Sequence, residues 1–207
     1  EIPDSNDSMF RYEKEQNIWS ASVPAFDDET LGRIAGHIAG HRIKFVRGYL
    51  SIIEYLIDYI DRKGIELKSE PLFITIGEKL NDSLRSRIVD KMGFHVVSQY
   101  GNEENGVFGQ SETDESGDLI RLNKANCIIE LLRIDSDEPA PAGEPGRVIV
   151  TDLTNRAMPM IRYDIGDLAI CREALPSGEP LVLQLLECRK EDMVYDTSGN
   201  PVPMVFP

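Results

Sequence analysis

Between residues 27 and 100 the apolar positions switch repeatedly between helical and strand-like spacing. DDETLGRIAGHIAGHR, from Asp27, opens with acidic N-cap candidates and then places Leu31, Ile34, Ala35 and Ile38 on one helical face, weakened by Gly36 and Gly40. Ile43 to Val46 is a short β-branched and aromatic run that predicts a strand. After Gly48, Tyr49, Ile52, Ile53, Leu56, Ile57 and Ile60 recur at helical spacing, and Gly64 supplies the usual C-terminal stop. Pro71 to Ile76 is nearly continuous in apolar residues, as in strands buried on both faces. A third helix is expected from about Asn81 to Met92, stopped by Gly93, with Phe94 to Tyr100 as the next strand. Strand, helix, strand, helix, strand predicts right-handed crossovers and a parallel sheet. Ligands of such sheets sit beyond the carboxyl ends of the strands.

The stretch up to Phe26 is mixed, and its polar, acidic start resembles an entry from something upstream. After Gly117 the runs become short and strand-like: NCIIELLRI, GRVIVTDL, MPMIRY, DLAICRE and PLVLQLLE, broken by the turn-rich EPAPAGEPG. The expected fold class is therefore α/β, with a parallel strand-helix-strand sheet over residues 1–117 followed by an antiparallel β-subdomain over 118–207.

With 207 residues, 41% hydrophobic and 28% charged, the chain is long enough for a core without disulfide or metal staples. Its 36 acidic against 22 basic side chains, a net charge of −14, would repel a nucleic-acid backbone or an anionic membrane surface. Neither is an expected partner. No apolar run approaches a membrane span, and no signal peptide is visible at the start. Cys127, Cys171 and Cys188 are odd in number and widely spaced, which fits small buried hydrophobes in a reducing cytoplasm.

Candidate chemistry collects at the predicted strand ends. Thr75-Ile76-Gly77-Glu78 and Tyr100-Gly101-Asn102-Glu103-Glu104 put glycines and carboxylates where a small-molecule site is expected. An aromatic ring can stack on a nucleobase, and a carboxylate can hold a magnesium ion that also grips phosphate oxygens. The plainer alternatives are a capped strand-to-helix turn and a solvated acidic loop. TDLTNRAMPMIRYDIGDL, from Thr151 to Leu168, is the most specific stretch. An aspartate such as Asp167 can accept both hydroxyls of a ribose, and Arg162 can neutralise phosphate or carboxylate. A buried Arg162–Asp167 pair holding a hairpin is the structural alternative.

Elsewhere, His37 and His41 are four apart on a predicted helix, but Ile38 stands where the zinc motif H-E-x-x-H needs its glutamate. His95 within a strand, Trp19 and the stripe from Tyr49 to Ile60 are expected to be structural, with part of the stripe a candidate acyl-pocket lining. The acidic DSDEP run, Asp135 to Pro139, is expected to be a solvated turn.

In this order, FVRGYLSIIEYLIDYI, ITIGEKL, QYGNEENG, GRVIVTDLTNRAMPMIRYDIGDL and LECRKEDMVYDTSGNPV resemble adenylate-forming enzymes. The likeness is to the branch holding phenylacetate-CoA ligase and capsular-polysaccharide-biosynthesis adenylate-forming proteins, and the chain is similar to part of their large domain. The resemblance implies that Tyr100 lies against adenine, with Gly77 and Glu78 forming another side of the nucleotide pocket and Gly101, Asn102 and Arg189 also binding the nucleotide. It also implies Glu104 as the magnesium-associated glutamate, Asp167 as the ribose ligand, and Arg189 near a hinge, with Asp192 close by. ATP and magnesium are the implied cofactors, a small carboxylate the substrate and coenzyme A a possible acyl acceptor; a homo-oligomer is possible. Glu103 stands where many members have threonine, and Cys188 where they have glycine. The family's glycine-rich phosphate loop and its C-terminal lysine have no match, so no catalytic residue is assigned and the chain alone is expected to be inactive. A non-catalytic nucleotide-binding or assembly module is the alternative.

Overall fold

The computed structural model describes residues 9–115, 117–189, 193–195 and 201–203, the side chains of 187–189, 193–195 and 201–203 excepted. Asp27 opens the first helix, α1 (Asp28–Gly40), by accepting a hydrogen bond from the Thr30 backbone N–H at 2.8 Å, and its acidic first turn complements the helix dipole. The strand expected at Ile43 to Val46 lies slightly later, as β3 (Phe45–Tyr49). It leads into α2 (Leu50–Lys63), which ends at Gly64 in the left-handed conformation, φ 63°. Next come β4 (Leu72–Ile76) and α3 (Asp82–Ser86), the latter capped by Asn81. The expected long third helix changes character here: Arg87–Lys91 continues as a π-helical turn before Gly93 (φ 72°) ends it. β5 (His95–Asn102) follows. β3, β4 and β5 are parallel neighbours, as the alternating pattern predicted.

Two layers of apolar packing hold this half. One side of α2 sends Ile53 and Ile57 onto the sheet with Phe73, Leu84, Ile88 and Val96, while its other side sends Leu56 and Ile60 against Leu31, Ile34 and Ala35 of α1. The stripe from Tyr49 to Ile60 is thus core along α2, but Tyr49 itself is half exposed at the end of β3.

Two short strands before α1, β1 (Phe10–Glu13) and β2 (Ile18–Ala21), form an antiparallel hairpin that the mixed pattern did not reveal. Its aromatic side chains dock on α1. Phe10 stacks on His37 at 4.5 Å and Trp19 meets the same ring edge-on at 4.8 Å, so Trp19 is half-buried between its own hairpin and α1 rather than deep in the core. His37 and His41 stack on each other at 4.2 Å.

The chain then turns back through β6 (Gly106–Gln110), β7 (Leu119–Leu122), β8 (Cys127–Leu132), β9 (Pro145–Asp152), β10 (Tyr163–Ala174) and β11 (Pro180–Arg189), all paired antiparallel. A small separate pair, β12 (Met193–Tyr195) and β13 (Pro201–Pro203), follows. The sheet order is β3-β4-β5-β6-β7-β11-β10-β9-β8, one continuous mixed sheet that runs past residue 117 without a break. β8 at its edge also touches β10 and β11, so the antiparallel part curls around a core of Phe108, Ile120, Ile129, Val148, Val150 and Leu183. Of MPMIRY only the last residue, Tyr163, is in a strand, where β10 begins. Met158 and Ile161 are exposed on the β9–β10 connection, Pro159 has no N–H to give a ladder, and Arg162 turns at φ 51°. Among the described residues no helix is long and apolar enough to cross a membrane.

Candidate functional site

Three strand ends open on the same side of the parallel sheet. The Tyr49 ring at the end of β3 lies against Gly77, where an added Cβ would come within 2.8 Å of the Tyr49 Cδ1 atom. Gly77 also turns at φ 84°, so both close approach and backbone conformation require glycine there. Glu78 follows it, exposed. Thr75 is in register with Ser98, and Gly77 and Tyr100 each stand two residues beyond that pair.

Tyr100 is 8% exposed, edge-on to Phe108 at 5.3 Å, and its hydroxyl donates to the Asp167 Oδ2 atom at 2.9 Å. That hydrogen bond joins β5 to β10 across 67 residues of sequence. The β5–β6 pairing slips between Tyr100 and Gly101. At Gly101 an added Cβ would meet the Gly106 carbonyl oxygen at 2.2 Å, so only glycine lets the two strands close so tightly. Asn102 accepts from the Asn105 backbone N–H at 2.8 Å, shaping the turn that carries Glu103 and Glu104 outward into solvent.

Asp167 sits half-buried within a bulge of β10 and is in backbone register with Arg189 on β11. The geometry thus brings Tyr100, Asp167 and the Arg189 backbone together, with Gly77, Glu78 and Gly101 at adjoining strand ends and Asn102 and Glu104 on the turn beyond. Asp192 lies outside the described residues. Nearby, Asp152 ends β9 and accepts from the backbone N–H groups of Thr154 and Asn155 at 2.7 and 3.0 Å, which holds its carboxyl below the usual range. A cavity of about 370 Å³ lined by Val107, Gln110, Arg121 and Leu122 lies on β6 and β7 and takes in none of these residues. The convergence of strand ends and polar side chains locates the site better than that solvent-open groove.

Two sequence expectations are corrected, the Arg162–Asp167 pair and the solvated DSDEP turn. Arg162 does not pair with Asp167; its Nε donates to Glu130 at 3.1 Å on the exposed face of β8. The DSDEP run is more than a solvated turn, because the Ser136 carbonyl and Asp137 both accept from Arg147. His95 is exposed and bonded to Asp114 at 2.8 Å. Cys127 is buried and Cys171 half-buried, with desolvation raising both thiols, while the Cys188 side chain lies outside the described set.

Arg147 itself was missed. It is 8% exposed on β9 and makes four hydrogen bonds, to Asp164, Asp137 and the carbonyls of Arg133 and Ser136. The available signal was a lone arginine inside the apolar run GRVIVTD, since a buried guanidinium must find acceptors.

No protein-family model matches the chain. It is 27% identical over 169 residues to protein CapK of Staphylococcus aureus, covering 81% of this chain and 35% of that protein. To the phenylacetate-coenzyme A ligase of Thermus thermophilus it is 30% identical over 160 residues, covering 74% of this chain and 36% of that protein. It spans about a third of the length of these relatives. Among solved structures, 2-hydroxyisobutyryl-CoA ligase in an open conformation with its acyl-AMP and CoA aligns at a TM-score of 0.69 with 18% identity, over 88% of this chain and 43% of that one. The anthranilate CoA ligase AuaEII in complex with anthranoyl-AMP aligns at 0.64 with 16% identity, over 87% and 36%.

Proposed function

As a homologue of phenylacetate-coenzyme A ligases and CapK with the large-domain fold of the adenylate-forming superfamily, this chain, we propose, supplies the nucleoside half of an acyl-adenylating site. The observation that carries this is the Tyr100–Asp167 hydrogen bond, which sets a carboxylate beside an aromatic residue at the carboxyl end of a parallel strand.

Asp167 accepts the two ribose hydroxyls, as an ionised carboxylate with two oxygens can. Tyr100 holds that carboxylate in place through its hydroxyl and offers the rim of a mostly buried ring to the adenine. Gly77 and Gly101 let backbone come close to the base, with Glu78 and Asn102 as polar neighbours. Arg189, in backbone register with Asp167, is a further nucleotide-binding residue of this reading. Magnesium, when bound, neutralises charge on the phosphates. Glu104 suits it, because it is a solvent-facing carboxylate on a turn and that ion commonly takes one or two carboxylates with phosphate oxygens and water.

In the reaction, a carboxylate oxygen of the substrate attacks the α-phosphorus of ATP. The acyl oxygen–phosphorus bond forms and the α–β bridging bond breaks, so pyrophosphate leaves with its electron pair. The thiol of coenzyme A then takes the acyl group and AMP departs. The chain's contribution is to hold the nucleoside so that the α-phosphate stands in line with the attacking oxygen. Phosphate-binding and lysine-bearing parts are expected from elsewhere in the protein, so the segment alone is expected not to catalyse adenylation. A reducing cytoplasm is the expected compartment. Carboxylate-dependent ATP–pyrophosphate exchange by the full-length protein tests the proposal. Exchange with at least one member of a panel of aryl and short-chain acids is expected; nucleotide binding without exchange on any acid would favour a non-catalytic nucleotide-binding module.

A further inference from the structure

We propose that Arg147 is a positioning residue for nucleoside binding, acting through Asp164 and Gly166 to fix the bulge that presents Asp167; this rests on the ribose-site reading above. Between the register pairs Asp164↔Ile149 and Leu168↔Arg147, β10 takes four steps while β9 takes two. The surplus residues, which include Asp167, therefore belong to a bulge whose two ends face Ile149 and Arg147. A bulge of that size leaves ladder groups unpaired and needs other contacts to hold one conformation.

Arg147 provides them from the base of the bulge. Its Nη1 donates to the Asp164 Oδ2 atom at 2.5 Å, and the other Asp164 oxygen accepts from the Gly166 backbone N–H at 3.0 Å. Gly166, at φ 82°, is the residue immediately before Asp167. One carboxylate thus ties a buried guanidinium to the peptide next to the proposed ribose ligand. The remaining donors of Arg147 are anchored on the β8–β9 connection, by Nε to the Arg133 carbonyl at 2.9 Å and by Nη2 to the Ser136 carbonyl and Asp137 at 2.9 and 2.8 Å. Because its planar fork is gripped on both sides, the guanidinium cannot swing, and Asp164 is fixed with it. Tyr100, on β5, locks the Asp167 side chain at 2.9 Å.

The test measures the affinities of ATP and 2′,3′-dideoxy-ATP for the full-length protein and its variants, with melting temperatures to verify folding. The ratio of the two isolates the hydroxyl contact, which a merely structural role would not move. The parent is expected to prefer ATP by about 10- to 100-fold, the range for hydrogen bonds to a charged group, and Asp167→Ala is expected to abolish that preference. In Asp164→Ala and Arg147→Lys the preference should fall to about threefold or less, with dideoxy-ATP affinity unchanged. Asp164→Asn, which has one acceptor oxygen in place of two and cannot serve both Arg147 and Gly166, should lose most of the preference as well. Arg147→Lys keeps the charge and carries the test if Asp164→Ala does not fold. If both variants keep the parental preference while Asp167→Ala loses it, Arg147 serves only stability and the proposal is overturned. If Asp167→Ala keeps the preference, the ribose assignment fails and the positioning role falls with it.

Discussion

The parallel and antiparallel parts of the sheet hold their functional groups by different means. At the carboxyl ends of β3, β4 and β5, positions are set by apolar packing behind them: Phe73, Leu84, Ile88, Ile53 and Ile57 are fully or almost fully buried, and the site residues emerge where the strands stop. In the curled antiparallel part, Asp167 is held by a buried charge, Arg147, gripping a bulge. Packing is non-directional and tolerates drift, whereas a four-acceptor guanidinium specifies one geometry at a desolvation cost. The Tyr100–Asp167 hydrogen bond is where the two parts meet.

Truncation should separate them. Phe73→Ala removes a fully buried ring from the packed half and is expected to cost about 4 kcal/mol in equilibrium denaturation of the full-length protein. Arg147→Ala should cost about 3 kcal/mol, because it strands Asp164 and several acceptors. Replacing the pair together, as Arg147→Met with Asp164→Leu, should recover much of that stability without restoring the preference for ATP over 2′,3′-dideoxy-ATP. A cost for the double variant larger than for Arg147→Ala alone would break the contrast between packing and charge. Gly77→Ala is expected to cost about 2 kcal/mol, from the left-handed backbone and the 2.8 Å clash with Tyr49, measured by the same denaturation.

The smallest effect lies on the packed half's surface. The Arg62 and Lys63 side chains beside Asp28 hold its carboxyl down to about 2 from the usual 3.8. Because the folded value is the lower one, the pair's contribution is fully present above pH 4 and is lost as pH falls toward 2. Asp28→Asn should flatten the melting-temperature slope slightly over that window, and about 1 M salt should remove the difference, since the pair is exposed and screened.

The helices and parallel strands were legible in the sequence because the helices carry a period set by one buried face and the strands stand out as short apolar runs between them. β1 and β2 were not, being four residues each and bound to α1 by aromatic stacking that leaves no alternation. β6 and β7 hid in glycine-rich and polar surroundings, and the π-helical turn at Arg87 interrupted a helix whose apolar spacing looked regular. The sequence also marked the strand ends that carry Gly77, Tyr100 and Gly101, because location at strand termini follows from topology. It did not reveal what holds Asp167. Arg147 finds its acceptors 10 to 17 residues away across two turns, and Arg162, nearer in sequence, took the attention because a local pair was the simpler expectation. Charges that partner across bulges are set by register, which the order of residues along one strand does not display.

The central claim is that the nucleoside lies at the seam between the two parts. A crystal structure of the full-length protein with AMP tests it most directly. The account predicts adenine against the Tyr100 rim beside Gly77 and Gly101, with the ribose hydroxyls about 3 Å from the Asp167 carboxylate. An AMP molecule bound elsewhere, with no contact to Asp167, would contradict it.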